Sequence, residues 1–130
     1  MAGSGKALIL VVDDMPEMLA ILTHRLEEAG YEVQCAKDGL EALGRAEVRM
    51  PDLVISDVLL PSLVGWELCL RLKEMAFPNQ LPVIMLTGKL TPNDEVRSYE
   101  SYADDHFTKP PDYPTLLAAV ARHLSTRSAP

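Results

Sequence analysis

Short apolar runs recur along this chain, and each stops on a polar residue. Ala7-Leu8-Ile9-Leu10-Val11-Val12 stops at Asp13-Asp14, Leu53-Val54-Ile55-Ser56 at Asp57, and Pro82-Val83-Ile84-Met85-Leu86 at Thr87. A shorter run, Ala103 to Thr108, leads to Lys109-Pro110. Apolar runs of this length, separated by segments of helical periodicity, predict buried parallel strands. Between them, Met15, Met18, Leu19, Leu22, Leu26 and Ala29 recur at helical spacing, with Pro16 suited to the first turn and Gly30 to the stop. Tyr31 to Ala36 alternates and predicts a second strand with Val33 and Cys35 on one face. Asp38-Gly39 supplies a turn and a cap for a helix carrying Leu40, Leu43 and Ala46, which Pro51-Asp52 breaks. Pro61 and Gly65 bracket a loop before a helix with Trp66, Leu68, Cys69, Leu70 and Leu72, and Phe77-Pro78-Asn79-Gln80 ends it. Thr91 to Ser101 predicts a sparse helix with only Val96 and Tyr99 to bury. Tyr113 to Leu124 predicts a final one, with Leu116, Leu117, Val120, Ala121 and Leu124 at core spacing.

Five strands alternating with five helices predict an α/β fold, a doubly wound parallel sheet covered on both faces. Right-handed crossovers leave few arrangements, and strand order 2-1-3-4-5, flavodoxin-like, leads them. A length of 130 residues suits one such domain over residues 6–125, with 1–5 as a leader and 126–130 as a polar tail or the start of a linker.

Charge narrows the partners. The net charge of −7, with no Lys/Arg cluster, argues against direct contact with a nucleic-acid backbone. Cys35 and Cys69 lack metal-type spacing and read as reduced, packed thiols. No apolar stretch nears the ~20 residues of a membrane span, and the N-terminus lacks a signal-peptide pattern. The expectation is a soluble, cytoplasmic protein with no membrane contact.

In open parallel sheets, ligand and catalytic groups gather beyond the carboxyl ends of the strands. Asp13, Asp14, Asp57, Thr87 and Lys109 all fall there. Singly, Asp13 would serve as a helix cap, and Asp57 and Thr87 as plain strand ends; together those readings fail. Carboxylates held close repel unless one is protonated or a cation joins them. A hard oxygen site open to water suits Mg²⁺, held by Asp14, Asp57 and a backbone carbonyl near Leu59, with waters steadied by Asp13. Lys109 would pair with Asp57 in the empty site and with a phosphoryl oxygen in the occupied one. Thr87 adds a hydroxyl, Gly88 leaves room for a bulky anion, and Pro110 can fix the loop through a cis bond. Elsewhere the signals are bland. Gly3-Ser4-Gly5-Lys6 precedes a strand, unlike a phosphate-binding loop, and reads as leader. His24 and His123 are expected to face solvent, the methionines to fill core, and Trp66 to pack at its helix start.

Leu10 to Asp14, Asp38-Gly39-Leu40-Glu41-Ala42-Leu43, and Pro51 to Asp57 with Pro61 and Gly65 resemble the receiver domain of bacterial two-component response regulators. Leu86-Thr87-Gly88, Ala103-Asp104-Asp105 and Thr108-Lys109-Pro110 extend the resemblance over about Lys6 to Ser125. It implies that Asp57 accepts a phosphoryl group from a phosphohistidine on a sensor histidine kinase or phosphotransfer protein, in a phosphorelay. It also implies that Thr87 then moves onto the phosphoryl group and shifts an inactive/active equilibrium. The face of the fourth helix, fifth strand and fifth helix would read out that shift, through a homodimer or an effector.

The chain departs from the family's usual pattern in places. His106 stands where a switch Tyr or Phe is usual, which makes readout altered or pH-sensitive; the plainer reading is a half-exposed strand histidine. Tyr102 replaces a common glycine, and Pro111 a frequent aromatic. Leu59 and Lys89 are expected to shield the acyl phosphate from water. The competing classes are an aspartyl-phosphate phosphatase or phosphotransferase, and a phosphorylation-independent pseudo-receiver scaffold. The first needs a second acid two residues after the nucleophile, where Leu59 stands. The second usually lacks an acidic or lysine position that this chain keeps. The expectation is therefore a phosphoacceptor, not an enzyme of continuous turnover.

Overall fold

A computed structural model describes residues 5–58, 60–63, 65–88 and 103–127. In chain order these form β1 (Leu8–Val12), α1 (Pro16–Glu28), β2 (Glu32–Ala36), α2 (Gly39–Val48) and β3 (Leu53–Asp57). They continue as α3 (Gly65–Ala76), β4 (Val83–Thr87), β5 (Asp105–Thr108) and α4 (Tyr113–Arg127). Every strand pairing is parallel, and the order across the sheet is β2-β1-β3-β4-β5, as the sequence predicts. Among the described residues there are four helices. The helix expected over Thr91 to Ser101 lies outside the described residues, as do Leu59, Lys89 and Tyr102.

The central strands β1, β3 and β4 are buried at every position, which is why their sequences run apolar without alternation. Their side chains still alternate between two cores. Leu10, Val12, Val54 and Met85 meet Ala42 and Ala46 of α2 and Leu68, Cys69 and Leu72 of α3. Ile9, Val11, Ile55, Ile84 and Leu86 meet Met18, Leu22 and Leu26 of α1 and Leu116, Ala119 and Val120 of α4. At the edges the pattern loosens: β2 is half-buried up to Ala36, and β5 alternates half-buried with exposed.

Local chemistry sets the helix ends. Pro16 opens α1, and Gly30 closes it at φ +99°, a conformation that favours glycine. Asp38 caps α2 by accepting from Glu41 N–H at 2.8 Å, and the Glu41 carboxylate accepts from Lys37 N–H at 2.7 Å. Gly39 is pressed against the loop after β3: a Cβ there would stand 2.5 Å from Cβ of Leu63. Gly39 thus lies on the inward side of α2. Gly39, Ala42 and Ala46 are buried, while Leu40, about 100° around the helix from Gly39, is 61% exposed. Met15 is likewise exposed, ahead of the inward stripe Met18, Leu22 and Leu26. In α4, Ala119 is buried and Ala121 exposed, and the helix runs through Ser125 to Arg127 where a polar tail is expected. Its i, i+3, i+4 geometry carries it on, because nothing in Ser125-Thr126-Arg127 breaks a helix.

Candidate functional site

The register of the central strands brings their last residues to one edge. Val12 lies beside Ser56, Asp57 beside Leu86, and Thr87 beside Thr108. Asp13 follows β1 directly and is 1% exposed; its N–H donates to Ala36 O at 3.0 Å. Its Oδ1 accepts from Met15 N–H at 2.9 Å, which shapes the turn into α1. Its Oδ2 lies 2.6 Å from Lys109 Nζ. Asp13 therefore does cap locally, with one oxygen, and keeps the other for the site. Asp57, the last residue of β3, is buried and accepts from the same ammonium at 2.9 Å. Lys109 reaches both because its N–H donates to Thr87 O at 2.7 Å, extending the β4–β5 ladder one step before the cis Lys109–Pro110 bond.

The electrostatics are uneven. Burial works against the Lys109 charge, but the carboxylates of Asp13 and Asp57 outweigh it and hold the ammonium pKa above its ordinary 10.5. One carboxylate oxygen from each of Asp13, Asp14 and Asp57 lies within 4.8 Å of the other two, and Asp14 is exposed. Among the described residues three carboxylates face one ammonium, which leaves an acidic, all-oxygen donor set open to water through Asp14. Such donors fit a hard divalent cation that keeps part of its water shell, as Mg²⁺ does.

Thr87 ends β4 at 6% exposure, and its Oγ1 has no hydrogen-bond partner among the described residues. An unmade buried hydroxyl bond costs about 1–3 kcal/mol, so this group is poised for an acceptor arriving from outside. Sequence reasoning missed Ser56, which is buried and donates from Oγ to Asp57 O at 2.9 Å. The signal was present, as the one hydroxyl in an otherwise apolar strand. His106 does not join the cluster: it is exposed on β5, and its N–H donates to Asp105 Oδ1 at 2.9 Å. His123 is corrected. Its side chain is 19% exposed, with Nε2 3.2 Å from Asp105 Oδ2, which also accepts from Arg122 at 2.9 Å. Both cysteines are reduced thiols, and burial pushes Cys69 up to about 11, which suppresses its thiolate. The Trp66 side chain lies outside the described residues.

The carboxyl edge of a doubly wound parallel sheet, where such folds place their ligand sites, here gathers three carboxylates, a buried hydroxyl and an ammonium. The chain belongs to the response regulator receiver domain family, whose sequence model matches residues 9–121. It is 45% identical over 102 residues, 78% of this chain and 42% of the relative, to the alkaline phosphatase synthesis transcriptional regulatory protein PhoP of Bacillus subtilis. It is 40% identical over 116 residues, 89% of this chain and 51% of the relative, to the phosphate regulon transcriptional regulatory protein PhoB of Rhizobium meliloti. The chain thus spans about half the length of the curated relatives it matches. Among solved structures, the signal receiver domain of a signal transduction histidine kinase from Syntrophus aciditrophicus is similar at TM-score 0.84 and 41% identity, over 95% of this chain and 94% of that one. Chemotaxis protein CheY4 of Vibrio cholerae is similar at TM-score 0.80 and 33% identity, over 91% of this chain and 98% of that one. This chain is a response regulator receiver domain. No described helix is long and apolar enough to cross a membrane.

Proposed function

We propose that Asp57 is the phosphoacceptor of a phosphorelay, taking the phosphoryl group of a phosphohistidine on a sensor histidine kinase or phosphotransfer protein. The observation that carries this is the shared ammonium: Lys109 Nζ sits 2.9 Å from Asp57 and 2.6 Å from Asp13, beside the unpartnered hydroxyl of Thr87. In the transfer, a carboxylate oxygen of Asp57 forms a bond to phosphorus as the phosphorus–nitrogen bond breaks, and the imidazole leaves with the bond's electron pair. Lys109 moves its charge from the carboxylate to a phosphoryl oxygen, and Asp13 keeps the ammonium aimed. Thr87 donates its free hydroxyl to the phosphoryl group. The residues that would hold Mg²⁺ are Asp14, Asp57 and the backbone carbonyl of Leu59, with Asp13 steadying its waters. When bound, the ion supplies positive charge against the phosphoryl oxygens.

The receiver unit is assigned to residues 6–125, in the cytoplasm, and α4 carries it on to Arg127. Its readout surface is taken as the segment Thr91 to Ser101 with β5 and α4, meeting a homodimer partner or an effector, and His106 is a switch candidate on it. At net charge −7, direct nucleic-acid contact is not assigned to this unit. Phosphatase turnover is disfavoured because Leu59 offers no acid two residues beyond Asp57. The test is incubation with Mg²⁺ and acetyl phosphate, read by intact mass. One phosphoryl adduct that disappears in Asp57→Ala is expected. Continuous hydrolysis of phosphomonoesters, or an adduct that survives the substitution, overturns the reading.

A further inference from the structure

Outside the phosphoacceptor site, the seam between α2 and α3 presents a surface that the site does not explain. Leu40, Leu43, Gly44 and Glu47 follow one another at i, i+3, i+4 and i+7 and so form one stripe of α2. Together with Arg71, Glu74 and Met75 of α3 they line an open groove of about 580 Å³. Its floor is apolar and wet: Leu40 is 61% and Met75 36% exposed. Its charges are not balanced. Arg71 is held by Glu67 at 3.0 Å, whereas Glu47 and Glu74 have no ion pair among the described residues. Gly44 is the third oddity. Glycine is among the least favourable residues inside a helix, and here a Cβ would meet nothing within 4 Å. The fold itself does not require glycine at this position, but a backbone approaching from outside would.

We propose that this groove docks a basic amphipathic helix of a partner protein. Its apolar stripe would lie on Leu40, Leu43 and Met75, its backbone would come closest at Gly44, and its Lys or Arg side chains would reach Glu47 and Glu74. Helix-in-groove recognition reads such i, i+3, i+4, i+7 anchors. A second copy of this chain is the poorer occupant. A symmetric contact through the groove would bring Glu47 and Glu74 of both copies into one interface, four carboxylates with no ion pair of their own among the described residues, and like charges across an interface are unfavourable.

The test uses the whole chain, isotopically labelled, and two synthetic helical peptides of about four turns (~14 residues). Both carry leucine at the anchor spacing; one is otherwise lysine and the other otherwise glutamate. The lysine peptide is expected to bind with amide shifts centred on Gly44, Glu47, Glu74 and Met75, and the glutamate peptide is expected not to bind. Reversing both charges in Glu47→Lys with Glu74→Lys is expected to weaken the lysine peptide roughly tenfold or more. Gly44→Leu is expected to weaken it comparably while circular dichroism shows undiminished helix. Shifts centred elsewhere, equal binding of the two peptides, or affinity unmoved by these substitutions overturns the proposal. So does a dimer in sedimentation that Leu40→Lys dissolves. None of these outcomes depends on phosphorylation of Asp57.

Discussion

Lys109 pairs with two buried carboxylates at once, so its removal acts on the whole edge. Lys109→Met takes from Asp13 and Asp57 the ammonium they share, and a loss of about 2 kcal/mol at neutral pH is expected, measured by urea unfolding. The pH dependence follows from the raised ammonium pKa. A group whose folded pKa lies above its unfolded 10.5 contributes fully below that value. The contribution is lost as pH rises through the folded pKa. The gap between wild type and Lys109→Met should therefore hold steady from neutrality to about pH 10 and close above it; a gap that closes near pH 8 contradicts the assignment. Thr87 behaves in the opposite way. Because its hydroxyl is buried and unpartnered among the described residues, Thr87→Val should leave the urea midpoint unchanged or raise stability by up to about 1 kcal/mol. A clear loss would mean that the hydroxyl is already satisfied.

Elements carry the site by fixing where strands stop and helices begin. Gly39 is the tightest such point, since any side chain there meets Leu63 in the loop that follows Asp57. Gly39→Ala should cost about 1–3 kcal/mol and is checked by thermal unfolding; an unchanged midpoint would show that the loop yields freely. The sequence made the central strands plain because burial on both faces forces continuous apolar runs, and Asp13, Asp57, Thr87 and Lys109 fell at their ends for the same reason. The rotation of α2 was not plain. Spacing alone allows Leu40, Leu43 and Ala46 to face inward, whereas in the fold Ala42 and Ala46 are buried, Leu43 packs at the core's margin and Leu40 faces out, in keeping with the close approach of Gly39 to Leu63. His123 was misjudged for a similar reason: its partner Asp105 is distant in sequence and becomes a neighbour only when β5 joins the sheet edge. Ser56 stands out in the sequence as the one hydroxyl of an apolar run, but its bond to the Asp57 carbonyl exists only in the folded strand.

At the scale of the molecule, two cores on opposite sides of the sheet hold one acidic edge, and binding at that edge should stabilise the whole. Mg²⁺ at ten times its dissociation constant should raise unfolding free energy by about 1.4 kcal/mol. Asp14→Ala, at an exposed position, should abolish that gain with little change in the metal-free protein. The central claim is that the nucleophile is Asp57 and not one of its acidic neighbours. Borohydride reduces an acyl phosphate to an alcohol and would turn a phosphorylated aspartate into homoserine, which peptide mass mapping locates. After treatment with acetyl phosphate and Mg²⁺, the predicted result is homoserine at position 57 alone. Homoserine at position 13 or 14, or a phosphoryl group that resists borohydride, would contradict the account.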